Sequence, residues 1–501
     1  MLTDLKKTAK HTSVYALGNI AIKLIGVILI PLYTNAEYLT HEEFGVLTVL
    51  EATLQLLLGL LTFAMISSLT RWYWDDKYKN IQNSIFFTTI LFLVVVLIPT
   101  IAGLMLFANP LSNLLFKDVD YSYLLRLTFA TAGIQIINNQ ILCLVRLQSL
   151  SKKYVFIQVF KITLVLLLIL YWILLKHQGL EAIWKANLIA EIIILIILFP
   201  YLLRNIELKF QFKIFNEMIR YGFPLMLASV SGVMLAVTDR YMLSSLSGLE
   251  ETGVYSVGFR IANVLKLVIS TSLLFSIAPL RMKKMNEPNN QRFYSKVFTY
   301  SGYIFIIGAL GISLFSLEGI KIFTSSPLYW KSNGIVPIIA MALFFGLLKD
   351  NITVGLSIKK ATGVIGIFIF ITGVLNIVLN ILLIPVLDIY GAALSTLLSQ
   401  LFLFVMLLRS AQKAYLIPYE LKKMVLLFAV ASLFIFVGIK IENLDVLLRI
   451  SIKLVMFLSF PFILHLFRFY EPIEIETIKR IIKHWYKPGS LKENINRLLR
   501  L

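Results

Sequence analysis

Apolar runs of about twenty residues recur along the whole chain, separated by short polar connections. A run of that length matches the thickness of a bilayer's hydrocarbon core, so each predicts a membrane-spanning helix. The runs place about fourteen spans. They lie at 13–33, 43–69, 84–108, 121–145, 154–175, 181–203, 220–243, 252–279, 293–316, 329–356, 362–384, 391–411, 421–440 and 447–468. The predicted class is an all-α polytopic membrane protein.

The connections alternate in character. One set is basic: Lys6/Lys7/Lys10, Arg71/Lys77/Lys79, Arg146/Lys152/Lys153, Arg204/Lys209/Lys213, Arg281/Lys283/Lys284/Arg292, Lys359/Lys360, Lys413/Lys422/Lys423 and the tail from Arg468 to Arg500. The other set is nearly free of basic residues: 34–42 and 385–390 have none, and 109–120 has only Lys117. The positive-inside rule then predicts cytoplasmic termini and an even number of spans. Two segments read as interfacial. Phe212, Phe215 and Ile219 share a face in 208–219. Ile475, Ile478, Ile482 and Trp485 share one in the tail, with Lys479, Arg480 and Lys483 between them. Such basic amphipathic helices lie on anionic membrane lipids, with a partner-binding tail as the competing reading.

Composition narrows the class. Apolar residues make up 58% of 501 and charged residues 15%, with a mean hydropathy of +0.84. Those values exclude an ordinary soluble enzyme and a disordered chain. The net charge of +20 is spread over the connections rather than gathered on one domain, so nucleic acid is not an expected partner. The single cysteine, Cys143, excludes an intrachain disulfide and sits in an apolar run. The stretch Ser13–Tyr33 is too long for a signal-peptide core and has no small-residue cleavage site, so it reads as a retained first span.

The chain resembles itself at an offset of about 208. Glu42-Glu43-Phe44-Gly45-Val46-Leu47-Thr48-Val49 is echoed by Glu250-Glu251-Thr252-Gly253-Val254-Tyr255-Ser256-Val257, Ser151-Lys152-Lys153 by Ile358-Lys359-Lys360, and Gly179-Leu180-Glu181-Ala182 more loosely by Ile389-Tyr390-Gly391-Ala392. This predicts two lobes of six spans each with the same orientation, as in transporters whose substrate lies between the halves. The expected organisation is a first lobe over 1–204, a cytoplasmic interfacial linker helix over 205–219 and a second lobe over 220–411. Two further spans over 412–468 and a basic amphipathic tail over 469–501 complete it.

Charges inside spans are costly and face a cavity or a partner. Lys23, with Asn19 one turn before it, lies in the first span; Glu51 in the second; Lys161 in the fifth; Lys185 and Glu191 in the sixth. Asp239 and Arg240 close the seventh. Arg260, Asn263 and Lys266 share one sector of the eighth, and Lys349 and Asp350 sit deep in the tenth. Seven of these are basic and four acidic. The surplus suits an anionic cargo such as a pyrophosphate or an acidic sugar. Snorkelling explains Arg126 and Lys185, near span ends, and competes for Arg240. No Walker A pattern, metal-ligand spacing or nucleophile motif appears. No catalysis, cofactor or metal is therefore expected.

Three stretches carry a family resemblance. They are Gly18-Asn19 through Lys23 and Gly26 to Ile30-Pro31-Leu32-Tyr33 and Glu43-Phe44-Gly45; Thr238-Asp239-Arg240-Tyr241-Met242-Leu243 with Gly253-Val254-Tyr255-Ser256; and Leu375-Asn376-Ile377-Val378-Leu379-Asn380 with Ile384-Pro385 and Gly391-Ala392-Ala393-Leu394-Ser395-Thr396. In order and spacing they resemble the bacterial polysaccharide repeat-unit (O-antigen or capsule) flippases, Wzx-type, of the superfamily that includes multidrug and toxic-compound extruders and lipid II flippases. The resemblance implies two six-helix bundles around a cavity in the bacterial inner membrane. The cargo it implies is an undecaprenyl-pyrophosphate-linked oligosaccharide moved to the external leaflet, with polymer-assembly proteins as partners. Cavity cations would be Lys23, Arg240, Arg260 and Lys266, with Lys161, Asn19 and Asn263 as further candidates from depth and position. H+ or Na+ coupling is typical of the family, and Glu51, Glu191 and Asp350 are its candidates here. A multidrug extruder of the same fold, a lipid II flippase and a membrane glycan polymerase or ligase are the competing readings.

Overall fold

A computed structural model describes residues 29–285, 287–359, 361 and 363–476. Every regular element among them is helical. Thirteen of the helices are long and apolar enough to cross a membrane, consistent with about fourteen spans. The span read at 13–33 lies outside the described residues up to 28, and so does the amphipathic tail from 477 onward.

The contacts divide the chain into two units, up to Tyr419 and from Glu420 onward. The second holds two antiparallel helices, Leu421–Lys440 and Val446–Leu466. The first holds both lobes, with α1 (Ile30–Tyr33), α2 (His41–Leu61), α3 (Met65–Tyr73), α4 (Gln82–Leu106), α5 (Ala108–Phe116), α6 (Ser122–Leu147), α7 (Ser151–Leu170) and α8 (Leu180–Arg204) in the first lobe. Then follow α9 (Phe212–Leu246), α10 (Leu249–Leu265), α11 (Thr271–Lys283), α12 (Asn290–Leu314), α13 (Ser316–Phe323), α14 (Ile335–Ile358), α15 (Gly363–Leu387) and α16 (Ile389–Ala414). The segment 212–219 is not a separate element: it forms the first turns of the single 35-residue helix α9, which continues through Pro224.

The repeat is visible in the fold. At an offset of about 208, α2 corresponds to α10, α4 to α12 and α8 to α16. Even the short surface helix α5 has its counterpart, α13. The second span of each lobe is interrupted at a similar depth. Between α2 and α3 the chain turns through Phe63 (φ 47°) and Ala64 (φ 51°), a left-handed conformation that side chains resist. Between α10 and α11 the interruption is a π-turn over Lys266–Ser270, a feature concentrated at functional sites.

The apolar core is distributed unevenly between the two ends of the lobes. At the end carrying His41, one cluster runs through both lobes and includes Phe44, Phe129 and Trp184 of the first with Tyr255, Tyr329 and Ala392 of the second. At the opposite end, Leu69, Phe86, Ile141, Leu198 and Met218 form one cluster. Tyr294, Val354 and Ile417 form another in the second lobe.

Candidate functional site

The lobes meet along the repeat-equivalent helices α2 and α10. A Cβ on Gly45 would lie 1.9 Å from the carbonyl oxygen of Leu249, and a Cβ on Gly253 would lie 3.2 Å from that of His41. Gly253 is the equivalent of Gly45 and Leu249 of His41, so the two contacts are reciprocal. That is the signature of an interface around a two-fold axis. Small residues let helix backbones approach closely in a membrane. His41 Nε2 lies 3.0 Å from Ser326 Oγ at the same end. The Tyr329 ring packs edge-on against both His41 and Phe44.

About two turns further along α2, Arg260 of α10 donates from Nη2 to Glu51 Oε2 at 2.6 Å. The ion pair therefore joins α2 to α10 on the same interface, although at the repeat offset Glu51 corresponds to Phe259 and Arg260 to Ala52. Arg260 is 15% exposed and Glu51 40%. The guanidinium lies 5.5 Å from the Phe44 ring centroid and 6.0 Å from that of Tyr33, rings that orient it without neutralising it. Tyr33 and Phe44 are buried. Glu51 is therefore the more accessible partner, while Arg260 packs against rings of α1 and of the facing helix α2.

A second cluster lies where α9 meets α10. Asp239 is buried and accepts from the Tyr255 hydroxyl. Arg240 donates to the carbonyl of Ala236 at 2.8 Å, approaches Asp239 Oδ1 at 3.3 Å and covers the Phe259 ring at 4.3 Å. Tyr241, the next residue, meets Thr53 of α2 at 2.8 Å.

The remaining candidates are scattered. Lys161 pairs with Glu191, which also accepts from Asn138 Nδ2 at 2.7 Å. This group spans α6, α7 and α8 inside the first lobe. Lys349 pairs with its neighbour Asp350 at 2.9 Å on α14. Asn263 is half-buried, and Lys266 is exposed at the start of the π-turn. Asn19 and Lys23 lie outside the described residues.

The basic surplus read from sequence thus resolves largely into pairs. All four acids counted with the seven cations have a basic neighbour, and Lys185 meets Glu181 at 2.6 Å. Arg126, read as a snorkelling residue, donates to Asn109 Oδ1 at 2.9 Å. Sequence reasoning left Tyr255 out of the site, although it lies in the quoted repeat. It also used Asn376 and Asn380 only as motif letters. Both are buried: Asn380 donates to Asn376 Oδ1 at 3.1 Å, and Asn376 to Ser399 Oγ at 3.3 Å.

The Lys161–Glu191 pair makes a testable demand. Glu191 is 2% exposed, and a buried charge left alone costs about 3–5 kcal/mol. Lys161→Met should lower the melting temperature markedly, whereas Lys161→Met combined with Glu191→Leu should recover most of it. Fluorescence-detected thermal unfolding of the purified protein reads both. Equal melting of the single variant and the parent would show that the pair carries no such load.

Comparison with known proteins agrees with this architecture. A family described as "Polysaccharide biosynthesis protein" matches residues 8–283. Among solved structures, the chain is similar to the lipid II flippase MurJ in an inward closed conformation. The TM-score is 0.71 at 16% identity, over 90% of this chain and 98% of that one. It is also similar to an inward-facing multidrug resistance transporter of the MATE family, within the MOP superfamily. There the TM-score is 0.58 at 15% identity, over 82% of this chain and 95% of that one. The MATE multidrug transporter DinF-BH gives 0.59 at 12% identity, over 81% and 95%. At these identities the likeness shows the fold. No curated protein matches the chain by sequence.

Proposed function

The chain belongs to the polysaccharide biosynthesis protein family, and from that premise we propose that it is a flippase for undecaprenyl-pyrophosphate-linked oligosaccharide units. It is a multi-pass membrane protein with the fold shared by flippases and transporters of the MOP superfamily. In our reading it sits in the bacterial inner membrane with cytoplasmic termini, as the alternation of basic connections indicates. The His41 end then faces outward, and its shared core closes the outer side. The opposite end, where the apolar clusters separate, is the inward mouth.

The observation that carries the proposal is the Glu51–Arg260 pair between the lobes. A bare pyrophosphate cannot cross hydrocarbon unaided. An arginine held by aromatic rings and paired with a half-exposed carboxylate can exchange that carboxylate for a phosphate, which guanidinium recognises with paired hydrogen bonds. Loss of Glu51 as a partner releases the link between α2 and α10. Substrate capture and separation of the outer ends are then one event, which is the coupling that alternating access needs. The polyprenyl tail stays in lipid throughout. An ion gradient supplies direction, and its carboxylate is drawn from Glu51, Glu191 and Asp350.

The experiment is the sidedness of polyprenyl-linked saccharides in cells depleted of the protein. Units held on the cytoplasmic leaflet, with surface polymer lost, are the expected result. Units that reach the outer leaflet but stay unpolymerised would make the protein a polymerase instead. Unchanged pools and polymer would remove the glycan reading altogether.

A further inference from the structure

We propose that Arg71 and Arg146 form a docking site for a lipid pyrophosphate at the cytoplasmic mouth of the first lobe, separate from the Arg260 site. Sequence alone assigns these arginines to basic connections. The structure brings them, from the ends of α3 and α6, to one cavity of about 500 Å³ that Ser67, Thr70, Cys143 and Tyr221 also line.

Three observations support this. First, neither arginine pairs with a carboxylate among the described residues. The guanidinium of Arg71 is positioned by rings, 4.5 Å from the centroid of Tyr221 and 5.1 Å from that of Trp72. Glu217, the carboxylate at this corner, accepts instead from Trp72 Nε1 at 3.3 Å and the Tyr78 hydroxyl at 3.4 Å. A stacked guanidinium keeps its N–H edge available for phosphate oxygens. Second, both arginines are exposed, and Ser67 brings a hydroxyl to the same wall, a donor that suits an anion with several oxygens, while the Thr70 hydroxyl there donates to the carbonyl of Ile66 at 2.7 Å.

Third, the repeat supplies an internal control. The second lobe has a cavity at the corresponding place, of about 200 Å³, lined by Arg281, Thr353 and Val354. Its arginine is already engaged, donating to Asn351 Oδ1 and facing the carbonyl of Asp350 at 3.5 Å. At the repeat offset, Val354 stands where the first lobe has Arg146. One cavity of the pair is larger and holds two cations, neither with a carboxylate partner among the described residues; the other has satisfied its single cation internally. Two guanidiniums match the two phosphates of a pyrophosphate better than the single phosphodiester of a bulk phospholipid. The site takes the head group from the cytoplasmic leaflet and delivers it to the lobe interface.

This assignment rests on the lipid-pyrophosphate reading of the cargo, and the test separates the two. Full-length protein in detergent is titrated with undecaprenyl pyrophosphate and followed by native mass spectrometry, with phosphatidylglycerol as competitor. Binding to the Arg71→Gln/Arg146→Gln variant is expected to be at least tenfold weaker than to the parent. Arg71→Lys/Arg146→Lys, which keeps the charge but loses the fork, should fall between them and guards against misfolding as the cause. Parent and Gln variant binding alike would overturn the site while leaving the flippase reading intact. Displacement by equimolar phosphatidylglycerol would also overturn it, as a site for bulk lipid. A parent protein that binds no undecaprenyl pyrophosphate would overturn the cargo reading and the site together.

Discussion

Gly45→Ala should abolish transport, while Gly253→Ala should slow it only a few-fold. The asymmetry follows from the distances. A methyl group at Gly45 would sit 1.9 Å from a backbone oxygen, whereas one at Gly253 would meet its nearest neighbour at 3.2 Å. Backbone cannot rotate away as a side chain can, so the first change forces α2 and α10 apart by more than an ångström. Overpacking of this kind costs about 3 kcal/mol, and about 1.4 kcal/mol is a factor of ten. The closed outer end should therefore lose about a hundredfold in relative population. The check is twofold: surface polymer in complemented cells, and the yield of a short thiol cross-link between His41→Cys and Ser326→Cys in a Cys143→Ser background. Normal polymer and normal cross-linking in Gly45→Ala would show that the close approach is not needed.

This interface was partly legible in the sequence. The echo of Glu42–Val49 in Glu250–Val257 announced two related helices, and the paired glycines were in plain view. Apolar run length located the spans because hydrocarbon thickness leaves little choice. Periodicity says which face of a helix is polar; it does not say which helix lies opposite. Glu51 was therefore read as a coupling carboxylate and Arg260 as a cavity cation, with nothing to join them. The repeat set α2 against α10 but did not join the two charges, because Glu51 matches Phe259 and Arg260 matches Ala52 in it. Lys161 and Glu191 were likewise read separately because α7 and α8 are brought side by side only by packing. The turn at Phe63-Ala64 carries neither glycine nor proline, so a single span over 43–69 was the natural reading. Tertiary packing imposes that break.

The charge exchange between Glu51 and Arg260 gives the sharpest test of mechanism. Arg260→Gln is expected to reduce transport at least tenfold, because it removes the group that would hold phosphate. Its effect on stability should be small, about 1 kcal/mol or less, since Glu51 is 40% exposed and water screens it. Glu51→Gln leaves the arginine in place but no longer competes for it, so head-group binding should tighten while turnover falls. The decisive variant is the swap, Glu51→Arg with Arg260→Glu. It restores an ion pair between the lobes and should return the His41–Ser326 cross-link to the parental yield. It also moves the cation from α10, where it packs on Phe44 and Tyr33, to the helix that itself carries Phe44, so the guanidinium leaves from a different backbone position. Transport in the swap should stay low if Arg260 binds cargo, and should recover if the pair is only a latch between lobes. Polymer output and cross-linking measured on the same four proteins distinguish the two roles, because a latch moves both readouts together and a binding residue separates them.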